Sequence, residues 1–263
     1  MEAQNRRSFI SVTVNTVKIS AEELIKRFTD EGLSCGIPVE GINSIVFYEN
    51  VVPHELPGYD EGLFFVQDTS SLRAVSALAP LPGEFVIDTC ACPGGKSFAS
   101  SFLMENKGKI LSLDIHKSKL SLIEKGALQL GIDIIENGVC DGRTPIEDYI
   151  GKADAVICDA PCSGLGVISK KPEIRYKTSE EIKALPDIQY EILSKSSLYV
   201  KKGGRILYST CTLNPEENDM ISEAFLKSHK DFERASGIEK GTTVFPKSTE
   251  SCDGFYFDVF YRK

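Results

Sequence analysis

Hydrophobic positions change period along the chain, and the changes divide it. In the first 50 residues a strand-like apolar run at Phe9 to Asn15 precedes a helical window and a second short strand-like run at Ile45 to Tyr48. Ser20 and Glu23 have the spacing of a capping box, each side chain meeting a backbone donor of the other residue, and Leu24, Ile25 and Phe28 supply one apolar face. These elements predict a small α+β subdomain. Between Val51 and Gly62 the chain carries Pro53, Pro57, Gly58 and Gly62, which break either period, so the boundary falls there: residues 1–62 form the subdomain and linker, 63–263 the larger domain.

Past that boundary, short apolar runs alternate with amphipathic windows, the pattern of βαβ units feeding a parallel sheet. Strands are predicted at Phe85 to Thr89, Lys109 to Asp114, Ile134 to Val139, Ala155 to Asp159 and Arg205 to Ser209, with helices at Ser97 to Met104, Lys117 to Leu130 and Ile188 to Tyr199. Lys201 and Lys202 read as the cationic end of that last helix. Asn214 as N-cap, Pro215 in the first turn and Glu217 three residues on mark another helix start, and Phe255 to Tyr261 alternates like an added edge strand. No repeat or low-complexity tract interrupts this order.

With 263 residues, 41% of them hydrophobic, the chain can bury a sizeable core. Its 30 Lys and Arg against 38 Asp and Glu give a formal charge of -8, so any nucleic-acid contact must come from a local basic patch. Lys170, Lys171, Arg175 and Lys177, with Tyr176 among them, form the candidate patch. Eight cysteines spread over the full length fall far below the density of a disulfide scaffold, which points to reduced thiols. No apolar run approaches 18 residues, and Met1 to Ile10 is polar with two arginines, so we expect no membrane span, no secretory leader and a cytoplasmic protein.

Candidate chemistry gathers after three of the predicted strands. Asp88-Thr89-Cys90-Ala91-Cys92-Pro93-Gly94-Gly95-Lys96-Ser97 lies between a buried strand and a helix, where α/β sheets bind ligands at a turn of close backbone approach and at unpaired helix N–H groups. Cys90 stands where a phosphate-binding P-loop needs glycine, and the dinucleotide glycine pattern is absent. An adenosyl ligand remains, with Asp114 at the next strand end as the ribose acid and Asp141 at the third strand end as a further contact; either could equally be a turn residue. Asp159-Ala160-Pro161-Cys162-Ser163-Gly164 follows the fourth strand and Ser209-Thr210-Cys211-Thr212 the fifth, placing two thiols on the same rim. Cys35, Cys140, Cys158 and Cys252 read as small buried hydrophobes. Cys90, Cys92, Cys158 and Cys162 lack the C-x-x-C knuckles of structural zinc, and no metal is expected. His54, His116 and His229 stand in no triad-like motif.

At Cys90 to Lys96, Asp159 to Gly164, and Tyr208-Ser209-Thr210-Cys211 leading into Asn214-Pro215-Glu216-Glu217-Asn218, the sequence resembles the RsmB/Sun-type RNA cytosine-C5 methyltransferases. The resemblance runs from about Val12 to the carboxyl terminus. It implies a Rossmann-like class I methyltransferase fold with a seven-stranded, mostly parallel sheet, and an RRM-like character for the small α+β subdomain. It implies S-adenosylmethionine as cofactor, contacted by Cys90, Ala91, Cys92, Pro93, Gly94, Gly95, Lys96, Asp114, Asp141 and Asp159. It also implies Cys211 as nucleophile, Cys162 as helper thiol, and RNA, in particular small-subunit ribosomal RNA, as substrate of a monomeric enzyme. Spacing alone leaves the attacking thiol open, since DNA cytosine methyltransferases attack from a Pro-Cys motif like Pro161-Cys162.

C5 of cytosine is a weak nucleophile until a thiolate adds to C6, and the attacking thiol must be ionised; Lys96 and the helix at Pro215 are candidate sources of positive field. Asp159 is the candidate acid at N3 of the base. Three departures accompany the resemblance: Cys92 stands where alanine is usual, Thr13 where arginine is common, and the chain begins too late to hold the helical NusB-like domain of bacterial members. Two rivals are a noncatalytic RNA-binding assembly factor that keeps the cofactor pocket and a DNA cytosine-C5 methyltransferase. Retention of both thiols disfavours the first, and the RNA-type Thr-Cys motif the second.

Overall fold

The computed structural model describes residues 9–246 and 252–263, so most of Met1 to Ile10, on which the leader reading rests, lies outside the described residues. The first elements are β1 (Ser11–Val14), α1 (Ala21–Asp30), β2 (Cys35–Gly36), β3 (Ser44–Phe47) and β4 (Phe64–Val66). They form an antiparallel sheet in the order β2-β3-β1-β4, whose fourth strand comes from beyond the Val51 to Gly62 segment. The α1 capping box is present: the Glu23 amide donates to Ser20 Oγ and the Ser20 amide to Glu23 Oε2, each at 3.2 Å. Phe28 on the apolar face of α1 meets Phe47 at 5.0 Å and Phe64 at 5.6 Å between ring centroids, which seats the helix on the sheet.

The chain continues with α2 (Thr69–Leu78), β5 (Phe85–Asp88), α3 (Gly95–Leu103), β6 (Lys109–Asp114), α4 (Leu120–Leu130), β7 (Ile135–Val139) and β8 (Ala153–Asp159). Then follow α5 (Ser179–Lys183), α6 (Leu185–Ser196), β9 (Val200–Thr210), α7 (Asp219–Ser228), β10 (Phe232–Arg234), β11 (Thr242–Val244) and β12 (Phe255–Arg262). The sheet has eight strands rather than seven, ordered β10-β12-β9-β8-β5-β6-β7 with β11 also on β12. The run β9-β8-β5-β6-β7 is parallel; β10, β11 and β12 are antiparallel.

The central strands read as continuous apolar runs because both faces are covered. Val86, Ile157 and Leu207 pack with Ala74 and Leu78 of α2 on one face. Their neighbours Ile87, Val156, Cys158, Ile206 and Tyr208 pack with Ile192 of α6 and Phe225 of α7 on the other. Two expectations are corrected here. Strand β12 is not at an edge: β9 flanks one side and β10 and β11 the other, and those two strands, three residues each, are too short to show a period. Lys201 and Lys202 do not close a helix. They open β9, where Lys201 pairs with Asp154, because a short turn at Ser197–Tyr199 ends the helical segment first.

Asn15, just after β1, ties the first sheet to α4 of the second. Its buried Nδ2 donates to the carbonyls of Gly62 and of Leu130 at the end of α4, both at 2.9 Å. Asn15→Ala orphans both acceptors and is expected to lower the unfolding free energy by about 2 kcal/mol, measured by urea titration.

Candidate active site

The parallel sheet reverses its strand order between β5 and β8, the position where a crevice opens outside the carboxyl ends of the strands. A cavity of about 300 Å³ lies there, lined by Cys90–Pro93, Gly95 and Lys96 from the turn after β5, Asp88 and Asp159 from the strand ends, and Cys211 after β9. Gln67, Asp68, Lys170, Lys171, Asp253 and Phe255 close its other side. The turn needs glycine at position 94, where φ is +116° and a Cβ would stand 2.5 Å from the Phe98 ring. It leads directly into α3, whose N-cap, Gly94, supplies no side-chain cap to the first amides of the helix.

Strand register unites the thiols. Asp159 pairs with Ser209 across the β8–β9 ladder, so the turns beyond them run side by side and bring Cys162 Sγ to 3.1 Å from Cys211 Sγ. Gly166 pins the second turn: its amide donates to the Cys211 carbonyl at 3.0 Å, and a Cβ there would lie 1.9 Å from the Gly254 carbonyl oxygen. Hydrogen bonding from the Cys162 thiol, helped by the cations of Lys96 and Lys171 against the opposing effect of burial, holds the Cys211 thiol below its ordinary value. The Cys162 thiol is driven well above it, first by that same hydrogen bond and then by burial. Of the two, Cys211 is the thiol whose ionisation its surroundings favour. After the Cys162 hydrogen bond, the lowering charges are Lys96 of the glycine turn and Lys171 of the basic segment.

Lys96 is almost completely buried, with Nζ 2.7 Å from Asp159 Oδ2 and 5.1 Å from the Phe255 ring centroid. Ser209 Oγ donates to the other Asp159 oxygen at 2.7 Å. Asp88, which heads the glycine-turn motif but was assigned no role from the sequence, has one oxygen bonded by Ser97 Oγ at 2.8 Å and the other buried with no partner among the described residues. Burial, against the lowering effect of Ser97 and with the negative charge of Asp159 added, raises its carboxyl to about 7. The remaining thiols of the region are quiet: burial raises Cys90 well above its ordinary value, Cys92 to about 11 and Cys158 to about 12.

Other expected residues stand apart from the cavity lining. Asp114 receives the Cys92 amide at 3.1 Å and the His116 amide at 2.9 Å, shaping the glycine turn. Asp141 is engaged by Arg143 at 2.7 Å, and hydrogen bonds from that arginine hold its carboxyl down at about 2. In the basic segment, Lys170 bridges Asp68 and Asp253, 2.8 Å from each, and Lys177 donates to the carbonyls of Cys162 and Ser163, at 3.3 and 2.9 Å. Lys171 lines the cavity and Tyr176 is exposed. Asp68 and Asp253 were missed because neither carries a motif, and they meet across 185 positions of sequence. Among the described residues, no three of His, Cys, Asp and Glu are grouped to hold a metal ion, and no helix is long and apolar enough to cross a membrane.

Fold and site together define a Rossmann-like domain of the methyltransferase class. Residues 75–260 match the family model for 16S rRNA methyltransferase RsmB/F. The chain is 38% identical over 235 residues to a probable ribosomal RNA small subunit methyltransferase B of Bacillus subtilis strain 168, covering 88% of this chain and 52% of that protein. It is 33% identical over 275 residues to ribosomal RNA small subunit methyltransferase B of Citrobacter koseri, covering 100% of this chain and 62% of that protein. The crystal structure of a methyltransferase homolog protein from Pyrococcus horikoshii is 27% identical, with a TM-score of 0.86, covering 100% of this chain and 89% of that one. The chain belongs to the RsmB/F family, and it spans about half to three fifths of the length of these curated relatives.

Alkylation by iodoacetamide should modify Cys211 before the other thiols at neutral pH. Removing the Lys96 charge in Lys96→Met, or the donor in Cys162→Ala, raises the Cys211 pKa, so the pH midpoint of its alkylation moves upward in both. An unmoved midpoint in both variants contradicts the assignment.

Proposed function

We propose that this chain transfers a methyl group from S-adenosylmethionine to C5 of cytosine in small-subunit ribosomal RNA, through a covalent Cys211–C6 adduct. The observation that carries the proposal is the pair of thiols 3.1 Å apart, one of them lining the cavity beside Lys96 and Asp159. The family's 16S rRNA description and the relatives' names support the substrate class.

The residues fit the cofactor. A glycine turn that opens α3, an acid at the end of β6 and a buried, partnerless Asp88 oxygen suit a ligand that carries hydroxyls and an amino group. Residues 90–96, Asp114 and Asp159 would hold it; Asp141 joins them once Arg143 releases it. When bound, this group supplies a sulfonium methyl as electrophile. Cys211 adds its thiolate to C6, which makes C5 a carbon nucleophile. Asp159, fixed by Lys96 and Ser209, stabilises a proton at N3 and so favours that addition. After C5 has taken the methyl, it loses its proton to a base. The C6–S bond then breaks, restoring the ring double bond and the Cys211 thiolate, with Cys162 assisting this release. Lys171 in the cavity lining and Lys177 on the carbonyls of Cys162 and Ser163 are the cations beside the thiols that would face an extruded base and its phosphates.

Labelled S-adenosylmethionine with 16S rRNA or with DNA tests the reading. Cys211→Ala is expected to lose methyl transfer by more than about a thousandfold. Cys162→Ala is expected to accumulate a detergent-stable protein–RNA adduct on a denaturing gel. Turnover by Cys211→Ala, or equal labelling of DNA, overturns it.

A further inference from the structure

Behind the two thiols lies a polar network that the chemistry above does not use. Glu217 and Gln189 are fully buried. Glu217 Oε2 accepts from the Ser163 amide at 2.8 Å and from Gln189 Nε2 at 2.9 Å, and Oε1 accepts from Asn214 Nδ2 at 3.0 Å. Gln189 Nε2 donates a second bond to the Pro161 carbonyl at 2.9 Å. The backbone is thus gripped one residue before and one residue after Cys162. The network continues to the other thiol: Ser163 Oγ lies 2.7 Å from Thr212 Oγ1, one residue past Cys211.

The energetics of this network favour a positional role. A carboxylate without water is expensive, and its donors here are neutral amides. Gln189 Oε1 is buried with no partner among the described residues, a cost of about 1–3 kcal/mol that a leucine or methionine would avoid. Glu217 also departs from the role its spacing predicts. In place of a capping box, with its carboxylate on the Asn214 backbone, it turns inward while Asn214 Oδ1 accepts from the Glu216 amide. Both polar groups are accounted for by what they hold.

We propose that Glu217 and Gln189 are positioning residues for the release half of the reaction, clamping the Cys162 turn so that its sulfur stays beside Cys211. This assignment rests on the reading under Proposed function. Displacing a reacting group by about 1 Å costs on the order of a hundredfold in rate, so the clamp acts on turnover and not on ligand affinity.

The test uses Glu217→Gln and Gln189→Met in the full chain, beside wild type and Cys162→Ala, with labelled S-adenosylmethionine and RNA. Both variants are expected to accumulate the adduct as Cys162→Ala does, with multiple turnover down about 10- to 100-fold and KM for RNA within about threefold of wild type. Adduct accumulation separates positioning from structure, because a partly unfolded chain loses adduct and turnover together. Wild-type turnover, joint loss of adduct and turnover, or unfolding of both variants overturns the assignment. If Cys162→Ala itself traps no adduct, the reading under Proposed function falls and takes this one with it.

Discussion

The pairing of Asp159 with Ser209 in the parallel β8–β9 ladder is the constraint on which the site depends. Parallel strands end on the same edge, and each is followed by a turn that carries a cysteine. One register brings the sulfurs to hydrogen-bonding distance; a slip of one residue would turn every side chain of the strand to the opposite face. The Asp159 carboxylate then receives Ser209 at one oxygen and Lys96 at the other, tying the β8–β9 edge to the glycine turn after β5. Three separate segments of chain become one rim.

The same geometry sets the electrostatics. Burial alone raises a thiol's pKa, and Cys90 and Cys158 behave that way. Cys211 is lowered despite burial because Cys162 donates to it and Lys96 and Lys171 face it. Lys96 is held in a nearly closed position with the Asp159 carboxylate 2.7 Å away. The Lys170 bridge between Asp68 and Asp253 is the counterpart on the other wall, joining the cap of α2 to the segment before β12.

Much of this was legible along the chain. The capping box at Ser20 and Glu23, the strands at Lys109 to Asp114 and Ala155 to Asp159, and the placement of the glycine turn and both cysteine turns at strand ends all follow from local chemistry. Buried parallel strands are apolar without interruption, and their ends are marked by Asp, Gly and Pro, so such segments announce themselves. The interior position of β12 was not legible. Its flanking strands have three residues each, and their pairing is decided by contacts far away in sequence. Lys170 read as a phosphate contact because its carboxylate partners, Asp68 and Asp253, stand about a hundred positions before it and about eighty after it.

The sequence by itself determined the class of architecture, the sheet edge on which chemistry gathers, and the residue types present there, because periodicity, capping and turn chemistry act over a few neighbouring residues. Only the tertiary structure decided which thiol is favoured for ionisation, which lysines are paired with carboxylates and which acids are already occupied. Those outcomes depend on distances of about 3 Å between segments that meet through strand register and helix packing, and local pattern carries no information about such meetings.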